Sequence, residues 1–276
     1  MAKIALLAGW GDIPRLWAER AEAQGKDFMV IKIAEEITAD FSDLDCKEQT
    51  INLADFNLLL ELLKKDEVKK LILLGKIHKE QLFKNFEADL KLKMLLASLP
   101  NFNDDTILKA LVDQFEGLGI EVLPQHYLLE ELLAKRGILA GNPSAELKKE
   151  LAYAFKTAYN LGRFDIGQTA LVKDRAVMAL EAVEGTDEAI KRAAKYGGPG
   201  FVMGKCSKKE QDFRFDIPTV GLNTLELLLE HQAAGLVIEA EKTFMLDQAE
   251  FCRRAEKEGL VVAAASFVKG ELILNC

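Results

Sequence analysis

Short apolar runs alternating with helical stretches constrain this chain more than any other feature. Residues 3–8, 28–33, 69–74 and 120–123 are dominated by Ile, Leu, Val, Ala, Phe and Met and are too short for buried helices. Each reads as a strand covered on both faces. Helical stretches lie between them: one from Pro14 to about residue 24, then 53–65, 79–97 and 104–116, punctuated by Gly25, Gly75 and Gly119. Strand–helix alternation requires right-handed crossovers and a parallel sheet. The fold class is therefore α/β, with a Rossmann-like domain over residues 1–125. Residues 126–145, with Gly137, Gly141, Asn142 and Pro143, read as a linker. Residues 146–276 form a mixed α/β domain: helix 146–161, a hairpin of strands 169–172 and 176–181, helix 187–196, strand 201–205, helix 223–233 and strand 236–239. A hairpin near 240–242, helix 247–257 and strand 260–265 complete the order.

The charge balance excludes some classes of function. Lys and Arg number 36 against 44 Asp and Glu, a net charge of −8. A general nucleic-acid binder needs a basic face to displace counterions, so no nucleic-acid partner is expected. The cysteines Cys46, Cys206, Cys252 and Cys276 form no Cys-x-x-Cys pair, as in a reduced cytoplasmic protein. The opening Met1-Ala2-Lys3 runs straight into a strand without a signal-peptide pattern, and the apolar run 261–268 is too short to span a bilayer.

Three turns of the first domain point to one crevice at the strand ends. Gly9-x-Gly11-x-x-Pro14 follows the first strand, where backbone N–H groups and a helix N-terminus can meet a diphosphate. Lys76 and His78 follow the third strand, where they can face the same crevice or form an ordinary surface turn. Glu35 and Glu36 follow the second, where an acid can meet a ribose or simply lie on the surface. In the second domain, acids gather in turns: Asp165 in Gly-Arg-Phe-Asp-Ile-Gly-Gln168, Glu181 and Glu184 before Thr186 and Asp187, then Asp212 and Asp216. Capping and turn formation explain any one of these alone, Thr186 as an N-cap among them. Taken with Arg163, Lys205 and Arg214 nearby in sequence, they form the set that a magnesium-assisted reaction on phosphate requires. Carboxylates hold the hard cation, and cations face the phosphoryl oxygens.

These segments resemble the LpxI-type UDP-2,3-diacylglucosamine pyrophosphatases of lipid A biosynthesis. The likeness rests on the Gly-x-Gly-x-x-Pro opening, Asp165-Ile-Gly-Gln168, Glu181-Ala-Val-Glu-Gly-Thr-Asp187 and Gln211-Asp-Phe-Arg-Phe-Asp-Ile-Pro-Thr-Val-Gly221. It departs at Lys209, where relatives carry Pro, and at Glu241, where a turn Gly is usual. The resemblance implies hydrolysis of UDP-2,3-diacylglucosamine to UMP and 2,3-diacylglucosamine 1-phosphate (lipid X) with Mg²⁺, in a two-domain cytoplasmic protein; a lipid substrate makes peripheral contact with the inner membrane plausible, and a homodimer is left open. Asp216 matches the family's functional aspartate. The expected catalytic set is Asp216, Asp212, Arg214, Lys205 and Lys208; the metal set is Asp216, Asp212, Asp165 and Glu184. Gly9, Gly11, Lys76, His78, Gln168, Gln211 and Thr186 are expected to bind substrate, with the diphosphate between the domains. Leu-rich stretches 58–63 and 225–229 are candidates for an acyl groove, although ordinary core packing explains both more cheaply. Two readings from other classes are a nicotinamide-dependent oxidoreductase, against which Pro14 counts, and a non-catalytic sugar-nucleotide or glycolipid carrier, against which the acids count.

Overall fold

The strand Ile4–Ala8 (β1) carries no polar side chain and lies at the centre of a five-stranded parallel sheet. On one side are Phe28–Ile33 (β2) and Lys47–Ile51 (β3); on the other, Lys70–Leu74 (β4) and Glu121–Val122 (β5). The computed structural model describes residues 3–77, 88–164, 166–268 and 271–273. Helices Ile13–Ala23 (α1), Phe56–Lys65 (α2), Leu90–Ala97 (α3) and Asp104–Gly117 (α4) accompany this sheet. In α2, Phe56, Leu59, Leu60 and Leu63 are buried, the spacing of one helical face turned to a core. Part of the expected helix 79–97 falls on residues 78–87, outside the described residues.

The glycines after β1 and β4 join two loops backbone to backbone. Gly9 donates its N–H to the Leu74 carbonyl, while Trp10 and Lys76 exchange N–H···O bonds, all at 2.9 Å. A Cβ on Gly75 would stand 2.6 Å from the Gly9 carbonyl carbon, and Gly75 holds φ +88°. No other residue fits there without moving the backbone.

The chain divides into two units, Met1–Leu129 with Asp212–Phe215, and Glu130–Gln211 with Asp216–Cys276. In the second, Val202–Lys205 (β9), Gly235–Glu239 (β11) and Val261–Val268 (β13) run parallel. Thr169–Lys173 (β7) lies antiparallel to β9 and forms a hairpin with Ala176–Leu180 (β8). The hairpin turn is Asp174-Arg175, both with positive φ, as a two-residue type I′ connection requires. Alternation along the strands serves two cores. Val172, Val202, Val237 and Ala263 pack with Leu151, Ala154 and Phe155 of helix Ala145–Arg163 (α5). Leu171, Met203, Leu236 and Val262 pack with Ile190, Leu225 and Phe251, from helices Thr186–Gly197 (α6), Leu222–Glu230 (α7) and Gln248–Lys257 (α8). The sheet is thus covered on both faces.

Two expectations are corrected here. Residues 126–145 are no linker throughout, because Gly137–Ala140 (β6) pairs antiparallel with β13. The turn at 240–242 makes no hairpin: Phe244–Met245 (β12) pairs parallel with Thr219–Val220 (β10). Glu241 holds φ +61°, a conformation that a side chain of this length rarely adopts. Glu271–Ile273 (β14) pairs with the end of β13. Cys46, Cys206 and Cys252 are free thiols. Among the described residues no helix is long and apolar enough to cross a membrane.

Gly75→Ala is expected to cost about 2–4 kcal/mol, from the left-handed backbone and the clash together. A lower urea midpoint at unchanged slope checks it.

Candidate functional site

In an open parallel sheet, ligands gather at the carboxyl ends of the strands. At that end of the second sheet, β9 closes with Lys205 and β11 with Glu239. Because β7 runs antiparallel, its first residue, Thr169, stands opposite Lys205, and this brings Gln168 to the same edge. Lys205 is only 7% exposed. Its ammonium donates to Thr186 Oγ1 at 2.9 Å and Thr169 Oγ1 at 3.4 Å. Thr186 in turn donates to Glu181 Oε1 at 2.8 Å. Burial pushes the Glu181 carboxyl up, but the Lys205 charge and the threonine hydroxyls outweigh it and hold it below the ordinary carboxylate value. Thr186 is the first helical residue of α6; the N-cap is Gly185, not Thr186.

Asp216 differs from its neighbours. Phe215, Ile217 and Pro218 are buried while Asp216 is exposed, and its φ is +55°. Aspartate enters that left-handed region more readily than most residues. Its Oδ2 accepts from Gln168 Nε2 at 3.0 Å and stands 3.3 Å from the Lys208 ammonium. Gln211 closes the turn beneath Lys208, accepting the Lys208 N–H at 3.3 Å and donating its own N–H to the Lys208 carbonyl at 3.2 Å. The structure therefore brings together Asp216, Lys208, Gln168 and Gln211, with Lys205, Thr186 and Glu181 forming a second chain at the same edge.

Other expected site residues are placed differently. Asp212 and Arg214 belong to the first unit. Arg214 donates to Asp212 through Nε at 3.0 Å and Nη2 at 2.6 Å, and to Glu116 through Nη1 at 2.5 Å. That fork holds the Asp212 carboxyl below its usual range. Glu184 pairs with Arg192 at 2.7 Å. Lys205 is buried, with its ammonium on the two threonine hydroxyls. His78 and Asp165 lie outside the described residues. In the first unit, the N–H groups of Gly9 and Trp10 bond to carbonyls, and that of Gly11 bonds to Thr38 Oγ1 at 3.2 Å. These three amides serve the fold, while Lys76 is exposed. Glu35 is exposed and accepts from the Leu53 N–H at 3.0 Å, while Glu36 is buried. The Leu-rich stretches are mostly core: Leu59, Leu60, Leu63, Leu225 and Leu228 are buried, while Leu58 is exposed. Large apolar side chains are also exposed at Phe164, Ile166 and Val183, in loops joined where Glu181 donates its N–H to the Thr169 carbonyl at 2.9 Å.

Of the four carboxylates expected to hold a metal, Asp165 lies outside the described residues and Asp212 belongs to the first unit, apart in the chain's division from Glu184 and Asp216. Among the described residues no three His, Cys, Asp or Glu side chains group closely enough to hold an ion, and Glu184 and Asp212 each have an arginine partner. Magnesium does not require four carboxylates. It keeps several waters and binds through one or two carboxylates together with substrate phosphates. The exposed Asp216 carboxylate fits that smaller requirement.

Sequence reasoning missed Glu239 and Ser207. Glu239 Oε2 accepts both the N–H and the hydroxyl of Ser207, at 2.9 and 2.6 Å. The available signal was an acid closing the otherwise apolar run Gly-Leu-Val-Ile-Glu239.

Residues 3–132 match the model of the LpxI N-terminal domain, and residues 135–263 that of the LpxI C-terminal domain. The chain is 29% identical over 276 residues to the UDP-2,3-diacylglucosamine pyrophosphatase LpxI of Caulobacter vibrioides, covering 95% of this chain and 97% of that relative. Among solved structures, a GalE-like L-threonine dehydrogenase from Cupriavidus necator in its holo form overlaps 43% of this chain and 35% of its own, at 15% identity and a TM-score of 0.28. That overlap is too shallow to bear on fold or function.

The depressed Glu181 carboxyl has a consequence for acid stability. A carboxyl lowered by folding stabilises the folded state above its unfolded value, 4.5, and loses that contribution as pH falls through the folded value. Glu181→Gln is expected to lower stability near neutral pH, since Lys205 stays buried, and to narrow the gap between roughly pH 7 and pH 3. Urea midpoints at the two pH values check both signs.

Proposed function

The chain belongs to the LpxI family, and from that premise we propose that it hydrolyses the diphosphate of UDP-2,3-diacylglucosamine to UMP and lipid X. The observation that supports this reading is Asp216, exposed between buried neighbours on a left-handed backbone and held by Gln168 and Lys208. A pre-set acid with an ammonium beside it suits a reaction in which negative charge develops on phosphoryl oxygens.

In the proposed reaction, water attacks the sugar-side phosphorus. A P–O bond forms there, the bond to the bridging oxygen breaks, and UMP departs with that oxygen. Lys208 faces the charge on the non-bridging oxygens, and Gln168 fixes the orientation of the Asp216 carboxylate. Mg²⁺, held by Asp216 and the substrate's own phosphates, would supply charge neutralisation. Lys205 takes a supporting part: with Thr186 and Glu181 it holds the ends of β7, β8 and β9 in register. The acyl chains are assigned to the exposed side chains of Phe164, Ile166 and Val183, since the Leu-rich stretches are mostly occupied by core packing.

Asp216→Asn preserves the side-chain shape and tolerates the same backbone. It is expected to reduce UMP release on the order of 10²–10³-fold while leaving the unfolding midpoint nearly unchanged; a near-normal rate would remove Asp216 from the mechanism. Hydrolysis in ¹⁸O-water with Mg²⁺ is expected to place label in lipid X, and EDTA to stop it. Label in UMP would move the attack to the other phosphorus, and an undiminished rate in EDTA would eliminate the metal.

A further inference from the structure

Glu239 is a deeply buried carboxylate at this edge that the proposed hydrolysis does not use, 5% exposed at the end of a fully buried strand. Taking a carboxylate out of water costs several kcal/mol, roughly, unless it is paired and hydrogen-bonded. Glu239 is both. Lys242 donates to Oε1 at 2.8 Å and supplies the countercharge. The backbone N–H and hydroxyl of Ser207 occupy Oε2, at 2.9 and 2.6 Å. Ser207 is held on its other sides as well. The preceding Cys206 donates its N–H to the Gln168 carbonyl at 3.0 Å. A Cβ on Gly162 of α5 would come within 2.9 Å of the Ser207 carbonyl oxygen and 3.3 Å of Lys208 Cα, so the helix backs directly onto this segment.

Both neighbours of these contacts touch Asp216. Gln168 donates to it, and Lys208, the residue after Ser207, brings its ammonium within 3.3 Å. Stability alone is a weak reason for a buried charge, because a well-packed apolar residue of similar volume is often as stable. We infer that Glu239, acting through Ser207, is a positioning residue for the Lys208–Asp216 pair. Its carboxylate fixes where the chain leaves β9, so that the Lys208 ammonium meets the phosphoryl oxygens in the transition state without rearranging. This assignment rests on the hydrolase reading above.

A double-mutant cycle on UMP release tests it. Glu239→Ala is expected to lower kcat by about 30–100-fold with KM within about threefold, the pattern of an interaction realised in the transition state. Glu239→Gln, whose amide oxygen still accepts both Ser207 bonds, should restore most of the rate. In a Lys208→Ala background, Glu239→Ala should cost less than about threefold more, since the group it positions is gone. If Glu239→Ala does not fold, Ser207→Ala takes its place in the cycle with the same expected non-additivity. Additive losses, or a near-normal kcat for Glu239→Ala, overturn the inference while the unaltered protein still hydrolyses substrate. No UMP from the unaltered protein overturns the hydrolase reading, and this inference with it.

Discussion

Two charged side chains end adjacent parallel strands inside the second unit, and much of the site depends on how each is compensated. Lys205 and Glu239 are 7% and 5% exposed, and a buried charge persists only where the surrounding fold supplies partners. Lys205 draws Thr169 from β7 and Thr186 from α6, and through Thr186 the acid that follows β8. Glu239 draws Ser207 and Lys242. Each charge therefore ties together segments distant in sequence. The loop between β9 and Asp216 is held at its start by the Ser207–Glu239 bonds together with the buried Cys206.

Asp216 differs in exposure from the residues on either side of it. Phe215 is buried in the core of the first unit, and Ile217 is buried in the second. The chain passes from one unit to the other between Phe215 and Asp216, and Asp216 is exposed on a left-handed backbone. Asp212, only four positions earlier, has a different role. With Arg214 and Glu116 it forms a compact ionic group within the first unit, where its charge is already matched.

Legibility followed chemistry. The buried strands β1, β2, β4, β9 and β11 announce themselves as apolar runs, and helices α1, α2, α5, α6 and α8 by their periodicity and punctuation. The strand Lys47–Ile51 was silent because an edge strand is commonly polar: Lys-Glu-Gln-Thr carries no apolar pattern. Gly137–Ala140 was masked by the turn-forming residues that surround it. The short pair β10 and β12 is defined by a parallel pairing between residues 219–220 and 244–245, which no local window contains. In the site, Asp216 stood out as an acid misplaced among apolar neighbours. Glu239 did not, because an acid ending a strand looks like a solvated turn until the strand end proves buried.

Sequence alone determined the α/β class, most element positions and the family. These are encoded in apolar periodicity, glycine punctuation and short contiguous motifs, all of which survive without knowledge of what touches what. Tertiary structure decided which charges are matched and which are presented. Arg214 could pair with a phosphate or with Asp212 and Glu116; Lys205 could face solvent or a threonine 36 residues away. Electrostatic pairing depends on distance in space, and only the folded chain sets those distances.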